Sequence, residues 1–315
     1  MQLNSGNDSL TGNAGNDSLV GNAGDDVMVG GAGADAQNGG EGSDLYVINL
    51  SSEYAPGEVI ADTGTTGTDE LRFATLASST LTLAASLSGT ENIVVGTGMT
   101  STAVTTGTLS INVNAAALTA DVSITGNNGS NILTGGSGAD QLVGNAGKDT
   151  INGGLGSDTF IGGLGADSLT GGGGSDTFVF AAGDTGQSTG FDLITGFEKG
   201  AVGTGDVIDY TVDLKIGGSA APATSNQASI NASTGVATFA ASSGTTLTDA
   251  LNDVASRMTT AGEFALFRVS NTGNYYLFIS DSVAGVAAND VVVQLVGVTS
   301  IGSIDLTTGN MTVIS

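Results

Sequence analysis

Gly153-Gly154-Leu155-Gly156-Ser157-Asp158-Thr159-Phe160-Ile161 is one copy of a nine-residue frame, Gly-Gly-x-Gly-x-Asp-x-U-x, in which U is a large apolar residue. The frame recurs in two phased blocks. The first, residues 3–47, carries Asp8, Asp17, Asp26, Asp35 and Asp44 nine residues apart; the second, residues 126–180, carries Asn131, Asp140, Asp149, Asp158, Asp167 and Asp176 at the same interval. The U positions are Leu10, Leu19, Met28, Gln37 and Tyr46, then Leu133, Leu142, Ile151, Phe160, Leu169 and Phe178. Gln37 departs from the apolar rule and is expected to weaken packing there. Each frame supplies a six-residue turn and a three-residue strand, too short to stand alone. Stacking resolves this: two frames make one coil, successive coils pair as parallel strands, and the U side chains fill a narrow core.

Glycines let the turn bend and aim carbonyl oxygens inward, and the aspartate adds charge. Carboxylates and carbonyls suit a hard cation such as Ca²⁺. The 315 residues include neither histidine nor cysteine, so the usual zinc ligands and disulfides are excluded. With two frames per coil, frame n lies beside frame n+2, and a shared ion pairs Asp8/Asp26, Asp17/Asp35 and Asp26/Asp44 in the first block. In the second block the pairs are Asn131/Asp149, Asp140/Asp158, Asp149/Asp167 and Asp158/Asp176, about seven sites in all. Asn131 brings an oxygen without charge, so its site is expected to be the weakest. Without metal, stacked like charges repel by on the order of 1–4 kcal/mol per pair. Folding and Ca²⁺ binding are therefore expected to be one event.

The bulk numbers agree. Thirty-one acidic residues against six basic ones give a net charge of −25. Nucleic acid and anionic membrane need positive surface and are poor partners; calcium ions are good ones. Simple solubility also explains acidity, and a Gly/Asp-rich run can be a flexible linker, but neither requires an apolar nine-residue phase. No apolar run is long enough for a transmembrane helix, and no N-terminal signal peptide is expected, because residues 1–6 lead directly into the repeat.

Between the blocks, residues 48–125 lose the frame. Strand-like stretches at Val59–Ala61, Glu70–Phe73, Leu81–Leu83, Asn92–Val95, Leu109–Val113 and Val122–Ile124 predict a continuing parallel β-solenoid with longer, irregular coils, and Pro56 is expected in a loop. Residues 181–315 change character. Leu247, Ala250, Leu251, Val254, Ala255 and Met258 share one helical face, with Thr246 and Asp249 as a capping pair. Glu263–Ser270 and Tyr275–Ser280 flank a hairpin turn at Asn271–Asn274, and Val291–Val298 reads as a strand. This region is expected to cap the open solenoid end. The fold class is thus all-β: a parallel β-roll with a mixed, β-rich C-terminal cap containing one helix.

The frames Gly135-Gly136-Ser137-Gly138-Ala139-Asp140-Gln141-Leu142 and Gly153–Phe160 resemble the repeats-in-toxin (RTX) nonapeptides. That resemblance implies a β-roll with Ca²⁺ in the turns and export by type I secretion machinery, whose signal is C-terminal and uncleaved. Phe191–Phe197 with Gly205–Tyr210, Tyr275–Asp281 and Asp290–Val298 resemble the family's C-terminal segments, and Met311–Ser315 its secretion end. Residues 112–126 and Thr90–Val95 resemble coils of bacterial surface-layer proteins of this group. Asp62, Asp69 and Glu91 are candidate ligands between coils, and Asp192, Asp206, Asp209, Asp281 and Asp290 candidates in the tail; the alternative is ordinary turn and strand-end acids.

Without histidine, a His-Glu-x-x-His zinc site, a Ser-His-Asp triad and Cys-His chemistry cannot form within these residues, and no enzyme is expected. The leading expectation is a secreted, calcium-binding structural protein that folds outside the cell and assembles with itself, or on surface polysaccharide, at the bacterial cell surface as a layer or fibre. Two alternatives stand beside it: the secretion and folding module of a larger toxin or hydrolase, and an adhesin end-domain.

Overall fold

The computed structural model describes residues 5–54, 56–97, 103–181, 184, 191–198, 205–210, 215–216, 228–230, 236–239, 247, 251, 254–255, 263–268, 274–280, 290–298, 303–305 and 311–314. The chain divides into two compact units, residues 1–156 and 157–315.

Three parallel strand rows build the first unit. In one, Ser9–Ala14, Val27–Ala32, Leu45–Ile48, Glu70–Phe73, Asn92–Val95, Ser123–Thr125 and Gln141–Val143 follow in space in that order. Ser18–Ala23, Ala36–Glu41 and Val59–Ile60 form a second row, and Ser79–Thr82, Ile111–Asn114, Ile132–Thr134 and Thr150–Leu155 a third. The register within the first block is 18 residues, two frames per coil, as in Leu10 against Met28 and Leu19 against Gln37. Between the blocks the step lengthens, from Tyr46 to Leu71 and from Ile93 to Ile124. Among the described residues of 48–125, Val59–Ile60, Glu70–Phe73, Ser79–Thr82, Asn92–Val95, Ile111–Asn114 and Ser123–Thr125 therefore continue the parallel rows with longer, unequal steps. Pro56 lies in a turn. The first four strands of the first block are six residues long rather than three, because pairing runs on into the glycine turn: Asn13 and Ala14 are in register with Gly31 and Ala32.

That register stacks the U side chains. Leu10, Met28, Tyr46, Leu71, Ile93, Ile124 and Leu142 succeed one another along one row, each completely buried. Each such side chain contributes about 1.5–3 kcal/mol of burial free energy, available only when the neighbouring coil is in place.

In the second unit, Thr159–Ile161, Thr177–Phe180 and Val207–Tyr210 are parallel, and Phe160 stacks on Phe178 with ring centroids 4.8 Å apart. Ser168–Gly173, Asp192–Thr195 and Val291–Val296 form the other parallel row. Both rows then turn antiparallel. Val291–Val296 pairs with Tyr275–Ile279, and that strand with Glu263–Arg268, the predicted hairpin. Val207–Tyr210 pairs with Met311–Ile314, which also pairs with Ser303–Asp305. Within this unit, strands of the tail thus pair with Asp192–Thr195 and with Val207–Tyr210, whose backbone would otherwise be unpaired on that side. Of the predicted helix, Leu247, Leu251, Val254 and Ala255 are helical. Leu251, Val254 and Ala255 are buried against Ala265, Phe267, Tyr276, Phe278 and Val292, the face the spacing specified. The Thr246/Asp249 cap and the turn residues 271–273 lie outside the described residues.

Candidate metal centre

Three glycine positions of the frame do different work. At the second position the backbone is left-handed: Gly31 has φ 101° and Gly40 φ 103°, while Asn13 and Asn22 take the same conformation at φ 77° and 84°. Asparagine is among the few L residues that tolerate it. The fourth position is also at positive φ, as at Gly33 (148°). The first position is glycine for space. A Cβ on Gly12 would lie 2.5 Å from the Gly30 carbonyl oxygen and 2.8 Å from Asp17 Oδ2; on Gly30 it would lie 2.5 Å from Asp35 Oδ2. At Gly12, Gly21, Gly30, Gly39, Gly135, Gly162 and Gly171 the missing Cβ therefore leaves a small gap walled by the frame's own carboxylate, and at Gly126 by the Asn131 amide oxygen. At Gly12, Gly21 and Gly135 the carbonyl of the next coil forms a second wall.

The carboxylates form columns. Oδ1 of Asp26 accepts the Asp8 N–H at 2.8 Å, Oδ1 of Asp35 that of Asp17 at 2.8 Å, and Oδ1 of Asp44 that of Asp26 at 2.7 Å. Each side chain thus caps the equivalent residue one coil earlier. The other oxygen is left over: Oδ2 of Asp17, Asp26, Asp35, Asp44 and Asp176 is buried with no hydrogen-bond partner. A buried, unpaired carboxylate oxygen is costly. A cation in the adjoining gap would satisfy it, so these residues fit the hard ion the motif implies. Burial pushes the carboxyls of Asp26, Asp140 and Asp176 up from the usual range and that of Asp44 up to about 7, with neighbouring carboxylates adding to the effect.

The expected pairs Asp8/Asp26, Asp17/Asp35 and Asp26/Asp44 are brought together by these bonds. So are Asn131/Asp149 in the same unit, where the Asn131 N–H donates to Asp149 Oδ1 at 2.7 Å, and Asp158/Asp176 in the second, at 3.0 Å. Asp140/Asp158 and Asp149/Asp167 take one residue from each unit. Two turns differ. The Asn131 amide donates to the Ile111 carbonyl and to Asn127 Oδ1, and its own oxygen accepts the Asn127 N–H. The amide hydrogens stand where a cation would attract those oxygens. Asp140 accepts N–H groups on both oxygens, from Val122 and Gly136.

Acids outside the frame extend the columns. Glu58 accepts the Asp35 N–H at 3.0 Å, Asp69 that of Asp44 at 2.7 Å, and Glu91 that of Asp69 at 2.7 Å. In the second unit Asp192 caps Asp167 and Asp206 caps Asp176. Asp206 also accepts the Glu198 N–H, and burial raises its carboxyl to about 6. Asp209 is half-buried and Asp290 fully buried; Asp281 lies outside the described residues. Glu58 lies outside the nine-residue frame. Its signal is acid-x-apolar ahead of a strand, as in Glu58-Val59-Ile60, Asp69-Glu70-Leu71, Glu91-Asn92-Ile93 and Asp206-Val207-Ile208. Glu58 also explains Gln37, whose Nε2 donates to Glu58 Oε1 at 2.9 Å in the buried interior.

A family model described as the RTX calcium-binding nonapeptide repeat (4 copies) matches residues 3–36, 125–160 and 152–185. These blocks are RTX calcium-binding repeats. The matched segments contain ten of the eleven frame positions named above, all but Asp44. No curated protein matches the chain.

Gly186-Gln187-Ser188-Thr189-Gly190 has the Gly-x-Ser-x-Gly spacing of a nucleophile elbow. It lies outside the described residues, and the 315 residues hold no histidine to serve as its base. No helix among the described residues is long and apolar enough to cross a membrane.

Proposed function

We propose that this chain is a secreted structural protein, not a catalyst, whose RTX blocks fold on extracellular Ca²⁺ and which then assembles at a bacterial cell surface. The observation that carries the calcium reading is the column of buried Oδ2 atoms beside glycine gaps inside the matched turns. Within the units the proposed ligands pair as Asp8/Asp26, Asp17/Asp35, Asp26/Asp44, Asn131/Asp149 and Asp158/Asp176, with Asp140 and Asp167 as further frame aspartates. The Asn131 pair is the weakest, because its amide already meets the surrounding oxygens. Extracellular calcium modules work at roughly 10⁻⁴–10⁻³ M, so such sites stay empty in cytosol and fill outside. Export by a type I system follows from the RTX resemblance, with 181–315 as cap and signal region. Surface assembly rests on the surface-layer-like residues 90–95 and 112–126.

Circular dichroism in chelator and in millimolar Ca²⁺ tests the folding step. The expected result is disorder of the repeat blocks in chelator and β-structure with calcium; identical spectra overturn it. Electron microscopy at both calcium levels tests assembly, and soluble monomers throughout would remove that part of the proposal.

A further inference from the structure

We propose that Asp44, Asp62 and Asp69 form a three-carboxylate site for a calcium-sized divalent cation at the joint between the first repeat block and the irregular coils. Only Asp44 belongs to the nine-residue frame, so the proposal shares that one residue with the reading of the turns. Asp62 follows the strand Val59–Ile60, in one row, and Asp69 precedes Glu70–Phe73, in another. One oxygen from each carboxylate lies within 4.8 Å of the others. Ca²⁺ binds oxygens at about 2.3–2.6 Å, so a single ion spans ligand oxygens up to about 5 Å apart.

A second observation points to a ligand. Asp44 is 1% exposed, its Oδ1 caps Asp26, and its Oδ2 is buried without a partner. That oxygen crowds the Gly39 gap. Gly39 N–H donates to Tyr46 Oη at 2.7 Å, and the Tyr46 hydroxyl donates to Asp62 Oδ2 at 3.2 Å. Asp44 Oδ2 and Asp62 thus face the same small space. Asp62 is fixed from its other side, with Oδ1 accepting the N–H groups of Gly40 and Gly64 at 3.1 and 2.8 Å. Asp69 is fixed by the Asp44 N–H. Arg72, the nearest cation in sequence, pairs with Glu70 instead. Three pre-positioned carboxylates against one divalent ion leave a single negative charge, and the oxygen-only donor set favours Ca²⁺ over softer metals. More charge than in a turn pair means that this site fills first. The bound ion would tie the two strand rows together where the regular repeat ends.

Tyr46 supplies the test, because a tyrosine hydrogen-bonded to a ligand can sensitise the emission of Tb³⁺, a calcium-sized luminescent ion. The full chain is titrated with Tb³⁺ under tyrosine excitation, and bound calcium is counted by equilibrium dialysis. Asp62→Asn should raise the emission midpoint about tenfold or more, as expected from losing one of three ligand charges, and remove one bound calcium. Asp121→Asn, at an exposed acid outside the named ligand pairs, should leave that midpoint and the calcium count in place. Tyr46→Phe should abolish the earliest emission while keeping the calcium count. A folded Asp62→Asn chain with unchanged midpoint and count overturns this site alone. If Asp62→Asn does not fold, Tyr46→Phe decides: early emission that persists overturns the proposal, and its loss supports it. A wild-type chain whose β-structure is the same in chelator and in calcium overturns the turn reading instead, and early emission from that folded chain, lost in Asp62→Asn, would still support this site.

Discussion

A single methyl group separates the roles of the frame's glycines. At the second position the constraint is torsional, so Asn13→Gly should be neutral, whereas Asn13→Ala forces alanine into the left-handed region at about 1–2 kcal/mol. At the first position the constraint is volume. Gly21→Ala drives a methyl into Asp26 Oδ2 and the Gly39 carbonyl, and should cost about 1–3 kcal/mol and weaken calcium affinity. Thermal melts in saturating calcium check both. The carboxylates set a pH dependence. Asp44 and Asp69 are raised to about 7 and Asp206 to about 6, each foremost by burial. A raised folded-state value favours the fold below the unfolded value near 4, and that contribution is lost as pH rises to about 7. The calcium-free chain should therefore gain β-structure on titration from pH 8 to 5. Calcium binding near neutrality should release protons and weaken in acid, as calorimetry in buffers of different ionisation enthalpy would show.

Gln37 and the acid columns belong to the scale of the coil. The frame marks Gln37 as a defect, yet it donates to Glu58, which in turn caps Asp35. Restoring the consensus with Gln37→Leu should destabilise the protein by about 1–2 kcal/mol, because Glu58 loses a buried donor. The double variant Gln37→Leu/Glu58→Gln should recover part of that loss, in a mutant cycle read by denaturant unfolding. Within the repeat blocks, the strand register, the U core and five of the seven aspartate pairs were legible in sequence, because each follows one fixed period there. Glu58 was not, since its coil step is 23 residues and its side chain is one methylene longer than the motif residue. Nor was the closing of the Asn131 and Asp140 turns, which depends on the irregular coils packed below them: the Asn131 amide donates to the Ile111 carbonyl, and Asp140 accepts the Val122 N–H.

Across the whole chain, the nine-residue phase fixed the roll but left the tail to weaker cues. The hairpin and Val291–Val296 showed through aromatic and β-branched runs, while their pairing with Asp192–Thr195 is a long-range contact that no local pattern announces. The caps, finally, give the roll a direction. Along the column from Asp8, the N–H of each aspartate is met by a carboxylate that comes later in the chain, at Asp26 for Asp8, Asp44 for Asp26 and Asp69 for Asp44. Trimming coils from the N-terminal side removes capped groups and leaves every retained coil finished. Trimming from the C-terminal side strips the caps from coils that remain. Truncations of equal length should therefore be tolerated unequally. A chain emerging from a pore C-terminus first would always expose its caps before the coils that need them.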